Sequence, residues 1–149
     1  MAKAKKYRDH HKLGITLAEW LALLGVREAL ASGALHHQKR RNTTARHITN
    51  WPINGTKHTF NMGLICRQEH CGSVGCIGGY MALVTGQNTQ VTVRREHPNR
   101  ELAKLFFPPS RSDYNTITPK QAVQALDNYL TKGKASWHTI CGLKEERFP

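Results

Sequence analysis

Acidic side chains are scarce. Ten Asp and Glu stand against 22 Lys and Arg in 149 residues, which leaves a net charge of +12 with histidine neutral. Carboxylates this sparse and scattered argue against the clustered acidic site of two-metal nuclease chemistry, and against steering of a cationic substrate. Long hydrophobic runs are also missing. The longest glycine-rich apolar stretch, Val74–Thr85, is roughly half of the about 20 residues a bilayer-spanning helix needs, so no membrane partner is expected. The segment Met1–Lys12 has the basic residues of a signal peptide without the apolar stretch that follows in one, which argues against secretion. The four cysteines then read as thiols or metal ligands ahead of disulfides, in a cytoplasmic protein. No phosphate-binding glycine loop, His-Glu-x-x-His helix or Gly-x-Ser-x-Gly elbow occurs, nor any repeat, low-complexity tract or interdomain linker.

What remains is a chain of one-domain size, 39% hydrophobic, expected to fold around one core as a single domain over 1–149 with residues 1–15 as a basic N-terminal arm. The charge is uneven. Residues 1–57 hold eleven basic and three acidic side chains (+8), whereas residues 58–149 hold eleven and seven (+4). Six of the nine histidines also fall at or before His58, so the first third gains further positive charge below about pH 6.5.

Local signals place the elements. Thr16-Leu-Ala-Glu19 is a capping box opening a helix over 17–32, with Leu17, Trp20, Leu21 and Leu24 as its inward stripe, Leu23, Val26 and Leu30 widening it, and Gly33 as its stop. Ser73 is a candidate cap for a helix over 74–85 ended by Gly86. There Gly75, Gly78 and Gly79 share a face suited to close packing. A short helix is expected over 98–105, and Thr118-Pro119-Lys120-Gln121 opens a helix over 119–132 with Ala122, Ala125, Leu126, Tyr129 and Leu130 inward. A small β-sheet is expected from parts of 57–64, 89–95 and 135–140, giving an α+β domain that is mainly helical.

The most distinctive chemistry lies in Cys66-x3-His70 and Cys71-x4-Cys76. Three readings stand. Cys66, His70, Cys71 and Cys76 could hold zinc, although the adjacent ligands His70 and Cys71 fit poorly around one tetrahedral ion. Cys76 in the first turn of a helix could carry a lowered thiol pKa with His70 as base, giving a small zinc- or cysteine-dependent enzyme. Cys76 beside Ile77 could equally be packed in the core.

This segment resembles a scattered family of small uncharacterised bacteriophage and bacterial proteins. The family shows an aromatic-x-Met stretch before Cys-Gly-Thr/Ser-x-x-Cys-Ile-x-Gly, matched here by Phe60, Met62, Cys71, Gly72, Ser73, Cys76, Ile77 and Gly79. Leu105-Phe106…Pro108, Thr118-Pro119-x-x-Ala122 and Gly133…Trp137 follow in the family's order, so the resemblance spans about residues 60–138. It brings no activity with it. It implies a phage or mobile-element setting, where small proteins bind host complexes and counteract host defence. It also implies that Cys71 and Cys76 matter more than Cys66 and His70.

Two basic clusters supply donors for phosphate oxygens: Lys3, Lys5, Lys6, Arg8 and Lys12, and then Lys39, Arg40, Arg41 and Arg46. Helix-turn-helix reading of DNA is poorly supported, because Leu21 stands where a small residue belongs and Gly33 interrupts the following segment. The pairs His10-His11 and His36-His37 point apart on regular structure and form no acid–base site alone. The expected function is therefore non-enzymatic binding of nucleic acid or a host nucleoprotein complex, with no cofactor. The alternative is direct inhibition of a host protein whose acidic groove meets the charge, with Trp20, Trp51 or Trp137 as anchors. Removing residues 1–12 and neutralising Lys39, Arg40, Arg41 and Arg46 is expected to abolish polyanion binding and leave the domain folded.

Overall fold

The computed structural model describes residues 6–37, 46–47, 58–60, 67–69, 72–87, 93, 97–109 and 116–143. The helices begin where side chains can serve the free amides of a first turn. At α2 (Leu17–Ala31), Glu19 N donates to Thr16 Oγ1 at 3.1 Å while Thr16 N donates to Glu19 Oε1 at 2.9 Å. At α5 (Pro119–Lys132), Gln121 N donates to Thr118 Oγ1 at 3.2 Å and Thr118 N to Gln121 Oε1 at 3.0 Å, with Pro119 where no amide is needed. Asn99 caps α4 (Arg100–Phe106), and Asp9 caps the single turn α1 (His10–Leu13). Two further helices are α3 (Ile77–Thr85) and α6 (Trp137–Ile140).

The core is built where α2 lies against α3 and α5, and α4 lies against both α3 and α5. Leu23, Ile77, Met81, Leu102, Leu105, Leu126 and Leu130 have 0% exposure, and each contributes on the order of 2 kcal/mol of burial. The inward face of α2 differs from the expected one. Ala22, Leu23, Val26 and Leu30 are buried, whereas Leu17 and Leu21 are 52% and 54% exposed and Trp20 and Leu24 half-buried. This helix is apolar nearly all round, so its periodicity does not select a face, and contact with α3 and α5 does.

α3 begins three residues later than Ser73 suggests. Ser73 and Gly75 lie in a strand fragment, and Cys76 stands before the helix, accepting Gly79 N at Sγ (3.3 Å) and Tyr80 N at its carbonyl (3.0 Å). The glycine spacing predicts a face that admits another backbone; at Gly78 side chains close on it instead, and a Cβ would lie 2.9 Å from Phe106 Cγ and 3.0 Å from Val93 Cγ1.

The α+β expectation is corrected, because the body carrying the core is 64% helical and contains no strand. Of the three stretches assigned to a sheet, 135–140 instead forms α6, whose Trp137 is buried and donates Nε1–H to Leu105 O at 3.1 Å. Across 89–95 no described residue is in a strand. His58–Phe60 pairs only with other fragments in the connection between α2 and α3. These are β1 (His36–His37), β2 (Arg46–His47), β3 (His58–Phe60), β4 (Arg67–Glu69) and β5 (Gly72–Gly75), paired in the order β1-β3-β5-β4-β2. Pieces of two to four residues fall short of the five or six usual in a strand, and every described core side chain comes from a helix or a connecting segment.

Candidate nucleic-acid interface

Of the first basic cluster, Lys6, Arg8 and Lys12 are described and exposed; Lys3 and Lys5 lie outside the described residues. These cations do not sit on a free arm. Tyr7 donates its hydroxyl to Asp127 Oδ1 at 2.8 Å, Arg8 N donates to Leu130 O at 2.7 Å, and Trp20 Nε1 donates to Arg8 O at 2.9 Å. Leu13 and Ile15 are buried, and Asn99 Nδ2 donates to Leu13 O at 3.0 Å and Gly14 O at 3.2 Å. Residues 6–15 are thus fixed along α2, α5 and the start of α4, so their charges are held in place. Removing residues 1–12 would take part of this support away with the charge, contrary to the expectation that it leaves the domain intact.

Asp127 anchors the arrangement from α5. It is 6% exposed and meets Arg27 in a forked pair, Nε to Oδ1 at 3.0 Å and Nη2 to Oδ2 at 3.3 Å. This pair satisfies a buried carboxylate as its burial requires. Donation of its hydrogen bonds to the Asp127 carboxylate, opposed by burial, pushes the Arg27 guanidinium further towards its charged form. Burial, then the hydrogen bond to Asp127, pushes the Tyr7 phenol up to about 12.

Of the second cluster, Lys39, Arg40 and Arg41 lie outside the described residues, and Arg46 is described only as backbone in β2. The structure adds cations that the sequence reading passed over. Lys132 ends α5 and Lys134 follows Gly133, over which the Arg8 side chain lies. Both were legible as residues but not as neighbours of Arg8, because clustering along the chain says nothing about segments from its two ends.

Cys66, His70 and Cys71 lie outside the described residues. The reactive-thiolate reading of Cys76 is corrected: its sulfur is buried, and loss of solvation pushes the thiol pKa up despite the amides of the first helical turn. The arrangement observed there is the packed one. Among the described residues no three His, Cys, Asp or Glu side chains gather as metal ligands. The His10 and His11 rings do not point apart as expected; their centroids are 4.0 Å apart in a tilted contact, with His10 Nδ1 3.3 Å from Ile15 O. No family model, curated protein or solved structure matches the chain.

Proposed function

We propose that this is a small basic accessory protein of bacteriophage type that binds nucleic acid, or a nucleoprotein complex of its bacterial host, without catalysis, and so counteracts host defence from the host cytoplasm. The observation that carries this reading is the +12 charge, +8 of it in residues 1–57, because excess of this size attracts polyanions ahead of any other partner. Exposed Lys6, Arg8 and Lys12 on a segment with a fixed backbone support it, since preorganised cations lose less freedom on meeting phosphates. Among the described residues no helix is long and apolar enough to cross a membrane.

A second reading, direct inhibition of a host protein, draws support from exposed Leu17 and Leu21 one turn apart on α2. The tryptophans serve that reading less well: Trp137 is buried, Trp20 is half-buried with its Nε1 committed to Arg8 O, and Trp51 lies outside the described residues. Fluorescence anisotropy with labelled single- and double-stranded oligonucleotides of about 20 residues tests the choice, with polyglutamate as competitor. Binding that polyglutamate of equal charge displaces only weakly is expected. Absence of binding at low salt would rule out the nucleic-acid reading.

A further inference from the structure

A segment near the start of the described chain meets the C-terminus of α5, where Arg8, Lys132 and Lys134 bring cations. Arg8 is held on both sides of its backbone, N–H to Leu130 O at 2.7 Å and carbonyl to Trp20 Nε1 at 2.9 Å. Gly133 ends α5 with φ +80°, and a Cβ there would lie 3.1 Å from Arg8 Nη1. Lys132 and Lys134 flank that glycine, each about 3.8 Å away along the backbone. Both are exposed, as is Lys6 two residues before Arg8.

The helix end accounts for only part of this charge. Its dipole amounts to about half a negative charge, against three cations gathered around one glycine. Of the carboxylates on these segments, Asp9 Oδ1 accepts Lys12 N at 3.0 Å as the cap of α1, and Asp127 faces Arg27 and Tyr7. Three like charges on segments that the fold brings together, with the Arg8 side chain lying over Gly133 from a fixed backbone, suit an external anion with several oxygens. A guanidinium fork grips phosphate in two places, and a lysine on either side adds point charge.

We propose that Arg8, Lys132 and Lys134 form a phosphate-contacting patch for a nucleic-acid backbone, with Lys6 at its edge. This rests on the nucleic-acid reading above and extends it to a surface that the chain assembles only by folding.

The test uses the full-length protein with Lys132→Gln and Lys134→Gln together, and a fluorescein-labelled duplex of about 20 base pairs as probe. The control is Lys104→Gln with Lys120→Gln, an equal charge change on exposed side chains; Lys120 lies about 18 Å from Lys132 along the axis of α5. The patch predicts about tenfold weaker binding for Lys132→Gln/Lys134→Gln, a log–log salt slope shallower by about 2, and less than about twofold change for the control. Equal losses in both variants, or none in the first while the parent binds, would overturn the patch and leave the broader reading intact. A parent that does not bind would overturn both. Should the double variant fail to fold, Lys134→Glu alone, outside the helix, is expected to weaken binding at least threefold, and unchanged binding there would equally overturn the patch. Displacement of the duplex by polyglutamate at equal charge would assign the patch to an acidic protein and overturn it as proposed.

Discussion

Two tyrosines in this core make opposite use of their hydroxyls. Tyr7 donates to the buried Asp127 carboxylate, whereas the Tyr129 hydroxyl is buried with no hydrogen-bond partner among the described residues. Tyr7→Phe is therefore expected to cost about 1 kcal/mol, and Tyr129→Phe to gain about as much by removing an unsatisfied buried group. Denaturant unfolding at pH 7 gives both signs, and a loss at Tyr129→Phe would mean that its hydroxyl is satisfied after all. The Tyr7 phenol, raised from 10.0 to about 12, adds a pH dependence. A folded-state pKa above the unfolded one contributes stability that is complete below pH 10 and is lost as pH rises towards 12. Burial, with Glu19 and Glu101 behind it, pushes Tyr129 upward too, so it shares that alkaline loss. Melting temperatures between pH 9 and 12 should fall less steeply in Tyr7→Phe than in the parent.

At the scale of elements, one substitution has opposite expected signs on two helices. Gly25 on α2 has nothing within 4 Å of an added Cβ, so Gly25→Ala is expected to stabilise by about 0.5–1 kcal/mol through helix propensity. Gly78 on α3 would drive its Cβ against the ring of Phe106 and the Val93 methyl, and Gly78→Ala is expected to destabilise by about 1–3 kcal/mol. Thermal unfolding of the pair measures both, and stabilisation at Gly78 would contradict the packing of α3 on α4. The caps of α2 and α5 and the buried stripe of α5 were legible because they are local: a capping box and a polar opposite face need no knowledge of the rest of the chain. The buried face of α2 was not, since Leu17 and Leu21 are as apolar as Leu23 and Val26. Nor was α6, where Ala135–Ile140 suits an edge strand by composition and Trp137 reaching Leu105 O decides otherwise.

At the scale of the whole molecule, charge and fold are less separable than the sequence suggested. The segment 6–9 carries no periodicity, so nothing local announces that it binds Asp127, Leu130 and Trp20, or that it sets Arg8 beside Lys132 and Lys134. Deleting residues 1–12 removes three hydrogen bonds to the core and is expected to cost about 3 kcal/mol, or about 6–12 °C in Tm. Lys6→Gln with Lys12→Gln removes exposed charge alone and should leave Tm within about 2 °C of the parent. Differential scanning calorimetry separates these outcomes, and an unchanged Tm in the truncated protein would contradict the docking of this segment.

The central claim is that this charge meets a phosphate backbone, and its most direct measurement is the salt dependence of binding to a DNA duplex. With six phosphate contacts, the logarithm of the association constant should fall against the logarithm of salt concentration with a slope of about −5. A slope near zero, or no binding at low salt, would contradict it.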